Sequence, residues 1–70
     1  MIGFYKLIDD SIYEIFMGVK IEERKRSNVL MAKCLESKTK SQEPFIVQEE
    51  NIRRNVLFGS WVKIENYKTE

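Results

Sequence analysis

Residues 12–22, Ile-Tyr-Glu-Ile-Phe-Met-Gly-Val-Lys-Ile-Glu, decide the fold because one periodicity runs through the whole stretch. Apolar residues occupy every second position from 13 to 21, and most of the residues between them are polar or small. A period of two is typical of a β-strand that buries one face. We therefore expect a central strand whose odd-numbered apolar side chains face the core, and these are Tyr13, Ile15, Met17, Val19 and Ile21.

The other side of this strand is not purely polar. Ile12 and Phe16 fall among the even-numbered positions. They indicate that the second face is partly covered, either by a neighbouring strand that bends over it or by another chain.

A helix is the competing interpretation of the same stretch. Ser11 and Glu14 have the spacing of a capping box, and four apolar residues follow the i, i+3, i+4, i+7 pattern of a helical face. We favour the strand because β-branched and aromatic residues, together with Gly18 in the middle, lower helix propensity.

The rest of the chain predicts further short elements. Apolar runs rich in β-branched and aromatic residues predict four more strands, at 1–8, 29–35, 45–47 and 56–64, with a short helix capped by Ser27 or Asn28 as the alternative for 29–35. Residues 9–11, Asp-Asp-Ser, predict a tight hairpin loop between the first two strands. The charged run at 22–28 predicts a solvated loop or the outer end of a long hairpin.

A short helical segment is expected before the last strand. Residues 49–55 contain four charged residues and one apolar residue, Ile52, which suits one turn of 3₁₀ or α-helix with Ile52 pointing inward. In the last strand, the even-numbered apolar residues are expected to face the core, and these are Val56, Phe58, Val62 and Ile64. Leu57 and Trp61 then lie on the opposite face.

Five strands with a short helical turn before the last one resemble the SH3-like small barrels, over residues 2–64. The opening Gly3-Phe4-Tyr5-Lys6, followed by Tyr13-Glu14-Ile15, is also similar to the start of some small bacterial and phage barrel domains. The resemblance implies an all-β, five-stranded SH3-like barrel, with an α+β fold as the alternative. The peptide-binding motifs of true SH3 domains and the Gly-rich turn of ribosomal-type barrels are absent, so neither ligand class is implied.

Length and composition limit the protein further. Seventy residues form one small domain, expected at 1–66, followed by a disordered tail at 67–70. The net charge of +1 provides no overall field that would attract a polyanion. A single cysteine and the absence of an apolar run near the ~20 residues of a membrane span predict a cytoplasmic protein with no membrane partner.

Catalysis is disfavoured, and we expect neither a metal nor a cofactor. The chain has no histidine, the commonest general base and metal ligand. Asp9 and Asp10 suit turn formation, and Cys34 lies inside an apolar run, as expected of a buried structural thiol. The protein is therefore predicted not to be an enzyme.

Basic residues provide one possible binding surface, for RNA or single-stranded DNA. Basic and aromatic residues interleaved on one surface are typical of single-strand binders. The basic residues each lie near acidic ones, which is more typical of a solvated surface. Nucleic acid is therefore the alternative ligand, through Arg24, Lys25, Arg26, Lys38, Lys40, Arg53 and Arg54, with Trp61 and Tyr5 as stacking surfaces.

Apolar residues on faces that should be wet support our leading hypothesis, a non-enzymatic protein-binding module. An exposed apolar patch with charged residues around it is the usual form of such a surface. The partner would be another protein or a second copy, and the chain would act as a small phage or mobile-element regulator or inhibitor of a host protein. Phe16, Leu57 and Trp61 are the expected anchors, with Arg53, Arg54, Arg24, Lys25 and Arg26 at the rim.

Overall fold

The computed structural model describes residues 1–37, 41–65 and 67. Its elements in chain order are strand β1 (Gly3–Leu7), β2 (Ile12–Glu22), β3 (Lys25–Glu36), β4 (Phe45–Ile46), helix α1 (Glu49–Leu57) and strand β5 (Trp61–Ile64). The order of elements matches the sequence prediction, and residues 12–22 form a strand rather than a helix.

The five strands form one antiparallel sheet in the order β4-β3-β2-β1-β5. The protein is mainly β, with one short helix. Strands β4 and β5 are the two edges of the sheet, which is open; closure into a barrel is not shown.

The predicted hairpin between β1 and β2 is confirmed. The backbone N–H of Ser11 donates to the Asp9 side chain at 3.0 Å, and the N–H of Leu7 donates to the Ser11 carbonyl at 2.8 Å. Asp10 has a φ of 69°, in the left-handed region that aspartate tolerates better than most residues. The aspartates at this position therefore form the turn.

Strands β2 and β3 form a long hairpin whose outer half extends past the rest of the sheet. Strand β1 pairs with β2 only as far as Ile15, and β4 pairs with β3 only at Met31 and Ala32. Glu23 and Arg24 form the two-residue turn at the tip. We call residues 17–30 the arm. The charged run at 22–28 is thus the outer end of a hairpin, one of its two predicted forms.

The core lies where α1 covers one face of the sheet. Tyr5, Ile15, Ala32 and Ile52 are buried together, and they come from β1, β2, β3 and α1 respectively. Ile52 points inward as predicted. Burying a side chain of this size stabilises the fold by roughly 1.5–3 kcal/mol, so one helix residue holds α1 on the sheet.

The prediction that all odd-numbered residues of β2 are buried is wrong for its outer half. Met17, Val19 and Ile21 lie on the same side of β2 as buried Ile15, but they are exposed. The reason is the arm: neither β1 nor α1 extends far enough to cover them. Strand periodicity shows which side a residue lies on, but not where the covering element ends.

Ile12 lies on the predicted side of β2. It pairs with Lys6 in an unbroken β1–β2 register, so it faces away from the side that carries Tyr5 and Tyr13. The β-bulge opposite it is in β3, where the register moves from Glu36 to Cys34 while β2 advances by one residue. Ile12 is buried, so the second face of β2 is partly covered here, as the sequence indicated.

Helix α1 is longer than one turn, and the last strand is shorter than predicted. Val56 belongs to the helix and Phe58 to the turn after it, so neither is a core-facing strand residue, and both are exposed. The helix ends where the N–H of Phe58 donates to Arg54 and that of Gly59 to Val56. Gly59 has a φ of 82°, which is typical of the glycine that follows a helix.

Parts of two predictions lie outside the described residues. These are the basic residues Lys38 and Lys40 and positions 68–70 of the predicted tail. Tyr67, the first residue of the predicted tail, is described: its ring lies 5.1 Å from that of Phe4, and its hydroxyl hydrogen-bonds to Glu36.

Candidate protein-binding surface

The structure does not bring the three predicted anchors together. Ile15 is buried on the α1 side of the sheet, so its neighbour Phe16 points to the opposite side. Trp61 lies on the α1 side, against Tyr5. Phe16 and Trp61 therefore cannot contribute to one flat contact surface.

Trp61 packs inside the molecule rather than on its surface. Its ring centroid is 5.9 Å from that of Tyr5 and 5.6 Å from that of Tyr13, the latter in an edge-on arrangement. Such aromatic pairs contribute about 0.5–1.5 kcal/mol beyond the area they bury. Trp61 remains partly accessible, but its main contacts support the core.

Phe16 is half-buried on the face of the sheet opposite α1. Its cross-strand neighbour is Met31, which in turn pairs with Ile46 on the edge strand β4. A Cβ added to Gly18 would lie 2.6 Å from Cγ of Met31, so the Met31 side chain lies over this glycine. Met31 thus occupies the space beside Phe16 and leaves less of the Phe16 side chain available to contact a partner.

Leu57 is the predicted anchor that the structure leaves most open. Its side chain is 80% exposed at the end of α1, and Phe58 beside it is 73% exposed. Val56 completes a row of three exposed apolar residues. We call Val56, Leu57 and Phe58 the helix-end patch. Sequence periodicity placed two of them in the core, because a strand was expected where the helix continues.

A shallow groove of about 350 Å³ adjoins the helix-end patch. Its floor is Tyr5 and Ile52, which are buried, and its walls are Met1, Arg53, Val56 and Leu57. The Tyr5 hydroxyl donates a hydrogen bond of 2.8 Å to the Met1 carbonyl, which places the N-terminal residue along one side. Burial raises the pKa of Tyr5 above its ordinary value near 10, so the hydroxyl stays protonated at neutral pH.

Two of the predicted rim residues lie on α1, and one of them lines this groove. Arg53 lines the groove, and one of its guanidinium nitrogens lies 3.6 Å from the Glu49 carboxylate one turn earlier. Arg54 is exposed in the last turn, where a positive charge complements the helix dipole. The helix-end patch is therefore bordered by positive charge.

The other three rim residues are at the opposite end of the molecule. Arg24, Lys25 and Arg26 form the tip of the arm, whereas α1 ends near the start of β5, which pairs with β1 at Leu7. Leu7 lies at the end of the sheet away from the arm. The predicted basic residues therefore form two separate groups rather than one rim.

The arm carries a second exposed apolar surface. Met17, Val19 and Ile21 form a row along β2 on the side that faces α1, and we call this row the arm stripe. The alternation along β2 predicted that these residues face the core. It does not show how far α1 extends over the sheet, and only an element packed on this face would bury them.

The residues considered for catalysis occupy structural positions. Cys34 is 1% exposed and its thiol donates to the Glu36 carbonyl at 3.6 Å, as expected of a buried structural thiol. The carboxylate of Asp10 lies 3.4 Å from the Lys6 amine on the surface. Within 1–37, 41–65 and 67, no cluster of three His, Cys, Asp or Glu side chains is arranged to hold a metal ion.

Helix α1 is too short and too polar to cross a membrane, and it is the one helix that the described part of the chain contains. Comparisons of the chain with protein-family models, curated proteins and solved structures found no match. The surface geometry is therefore the basis for the functional proposal.

Proposed function

We propose that this protein is a non-enzymatic protein-binding module and that the helix-end patch with its groove is the contact surface. The observation that carries the proposal is the exposure of Leu57 beside a groove with an apolar floor, with exposed Phe58 following it in the chain. Leaving two large apolar side chains in water costs free energy that a partner's surface would recover.

The chemistry of the surface indicates the kind of partner. The groove accepts an apolar side chain, and Arg53 lines it with positive charge, while Arg54 lies in the last turn of the same helix. The partner is therefore a protein that presents an apolar side chain flanked by carboxylates. Leu57 and Arg53 are expected to contribute most of the binding energy, since apolar anchors and arginines often do.

Three finer features belong to the same proposal. The order of the strands, with a helix before the last one, suits the SH3-like small-barrel class. The protein acts in the cytoplasm by occupying its partner's surface, as a regulator or inhibitor of a host protein encoded by a phage or other mobile element. Small size and an exposed apolar patch without catalytic groups are what support this mode of action.

The test compares two variants that each replace one exposed apolar residue with glutamate. Leu57→Glu changes the helix-end patch, and Ile21→Glu changes the arm, with similar original exposures of 80% and 71%. Tagged wild type and both variants are incubated with lysate from the native host, and the bound proteins are quantified by mass spectrometry. We expect Leu57→Glu to reduce capture of the specific partner by about tenfold or more, and Ile21→Glu to leave it unchanged.

Each contrary result has a clear meaning. Equal capture by wild type and Leu57→Glu, with both folded by circular dichroism, contradicts the proposed surface. Capture of RNA or single-stranded DNA, with an affinity that falls steeply as salt rises, would favour the alternative function. The described basic residues among those predicted to bind nucleic acid lie in two groups at opposite ends, which disfavours a continuous phosphate-binding track.

A further inference from the structure

The arm stripe is a surface distinct from the helix-end patch. Met17, Val19 and Ile21 are 52%, 49% and 71% exposed, on one side of a two-stranded hairpin. The row continues the buried part of β2, since Ile15 precedes it on the same side. An apolar row of this kind outside the core is a candidate for contact with another polypeptide.

The tip of the arm presents positive charge on the side that carries the stripe. Arg26 is the cross-strand partner of Ile21, so the two side chains lie on the same side of the arm. Acidic Glu22 lies on the other side, where its carboxylate is 2.9 Å from the Lys20 amine. Glu23, the second acidic residue of this run, lines a pocket with Lys20 and Glu22 on that other side, so both carboxylates are turned away from the stripe.

The base of the arm presents negative charge on the same side. The Val47 N–H donates to the Leu30 carbonyl at 3.0 Å, which places the chain entering α1 beside the base of the arm. Glu50 follows in the first turn of α1, which covers the side of the sheet that carries the stripe, and Glu49 before it lies 3.6 Å from the Arg53 guanidinium. Glu50 and Arg26 have no ion-pair partner in the described part of the chain.

On the side that carries the stripe, the arm is negative at its base, apolar in its middle and positive at its tip. This pattern is self-complementary. When two copies pack stripe to stripe about a two-fold axis with their arms antiparallel, the tip of each arm reaches the base of the other. Arg26 is four strand residues from Leu30, roughly 14 Å along the arm. This separation is too large for Arg26 to pair with Glu50 of its own chain, but the arrangement brings it toward Glu50 of the second copy.

We propose that a second copy of this chain is the occupant of the arm stripe, in a symmetric dimer in which Arg26 of each copy faces Glu50 of the other. Three side chains per copy form a small apolar contact, so the dimer is weak and depends on the charges at its two ends. Higher salt weakens it because the ion pairs are exposed.

Charge-reversed variants test the symmetry directly by sedimentation equilibrium at low salt. Arg26→Glu and Glu50→Lys are each expected to weaken the dimer by about tenfold or more, because each places like charges at both ends. An equimolar mixture of the two variants restores both attractive pairs in a mixed dimer. We therefore expect the mixture to associate as the wild type does, while either variant alone is monomeric.

Two apolar variants complete the test. Ile21→Glu should abolish the dimer, whereas Leu57→Glu, at the opposite end of the molecule, should leave it intact. A wild type that stays monomeric at every concentration overturns the proposal. So does a dimer that survives both Ile21→Glu and Arg26→Glu, or a mixture of charge variants that fails to associate while both are folded by circular dichroism.

Discussion

At the scale of single residues, Tyr5 shows how burial and a hydrogen bond determine one side chain's role. It is 3% exposed, contacts Trp61, and donates its hydroxyl proton to the Met1 carbonyl. Its location at the floor of the groove means that the core and the proposed binding surface share this residue. Ionisation of Tyr5 would therefore affect both.

The raised pKa of Tyr5 leads us to expect that the protein loses stability at alkaline pH. Burial raises its pKa in the folded protein above the unfolded value near 10. At pH values between the two, the folded state binds more protons than the unfolded state, so the free energy of unfolding falls as pH rises above about 10. Chemical denaturation measured from pH 8 upwards should show this decline.

The matched variant is Tyr5→Phe, which keeps the ring and removes the hydroxyl. We expect it to cost about 1 kcal/mol at neutral pH through loss of the hydrogen bond to Met1, and to make the alkaline decline smaller. An unchanged decline in Tyr5→Phe would show that another group causes it.

At the scale of secondary-structure elements, the arm depends on close packing at Gly18. The Met31 side chain occupies the position that a Cβ at Gly18 would need. Gly18→Ala should therefore lower the free energy of unfolding by about 1 kcal/mol, at the lower end of the usual cost of overpacking. Denaturant unfolding of the purified protein measures this change.

The companion variant, Met31→Ala, removes the side chain that a Cβ at Gly18 would meet. In this background we therefore expect Gly18→Ala to be neutral or stabilising. Together the four proteins form a double-mutant cycle whose coupling energy isolates this contact. Additive effects would contradict the packing described for the arm.

The elements also show what could be predicted from the sequence. The strand at 12–22, the turn at Asp9 and Asp10, and the inward position of Ile52 follow from local pattern, and all three are confirmed. Ends of elements were predicted less well. Val56 lies four residues after Ile52 and so continues its helical face, but it also begins an alternating pattern typical of a strand. Only the position of Gly59 after the helix distinguishes the helical from the strand interpretation.

The binding surface was harder to predict than the fold because it depends on where elements end. Leu57 was identified correctly as exposed, although for the wrong element. Trp61 was expected at the surface, but two tyrosines from β1 and β2 cover it. Such long-range contacts depend on strand order and register, which alternation within one strand does not determine.

At the scale of the whole molecule, exposed apolar groups occur at both ends. The helix-end patch lies at one end of the sheet, and the arm stripe lies at the other. This separation would allow the protein to contact a partner at one end and a second copy at the other.

An amide chemical-shift map of the isotope-labelled protein, recorded as its captured partner is added, tests most directly whether the helix-end patch is the binding surface. We expect the largest changes in chemical shift at Arg53, Val56, Leu57 and Phe58. The amides of Arg24 at the arm tip and of Phe16 on the opposite sheet face should change little. Changes confined to the arm or to the Phe16 face would contradict the proposal that the helix-end patch is the binding surface.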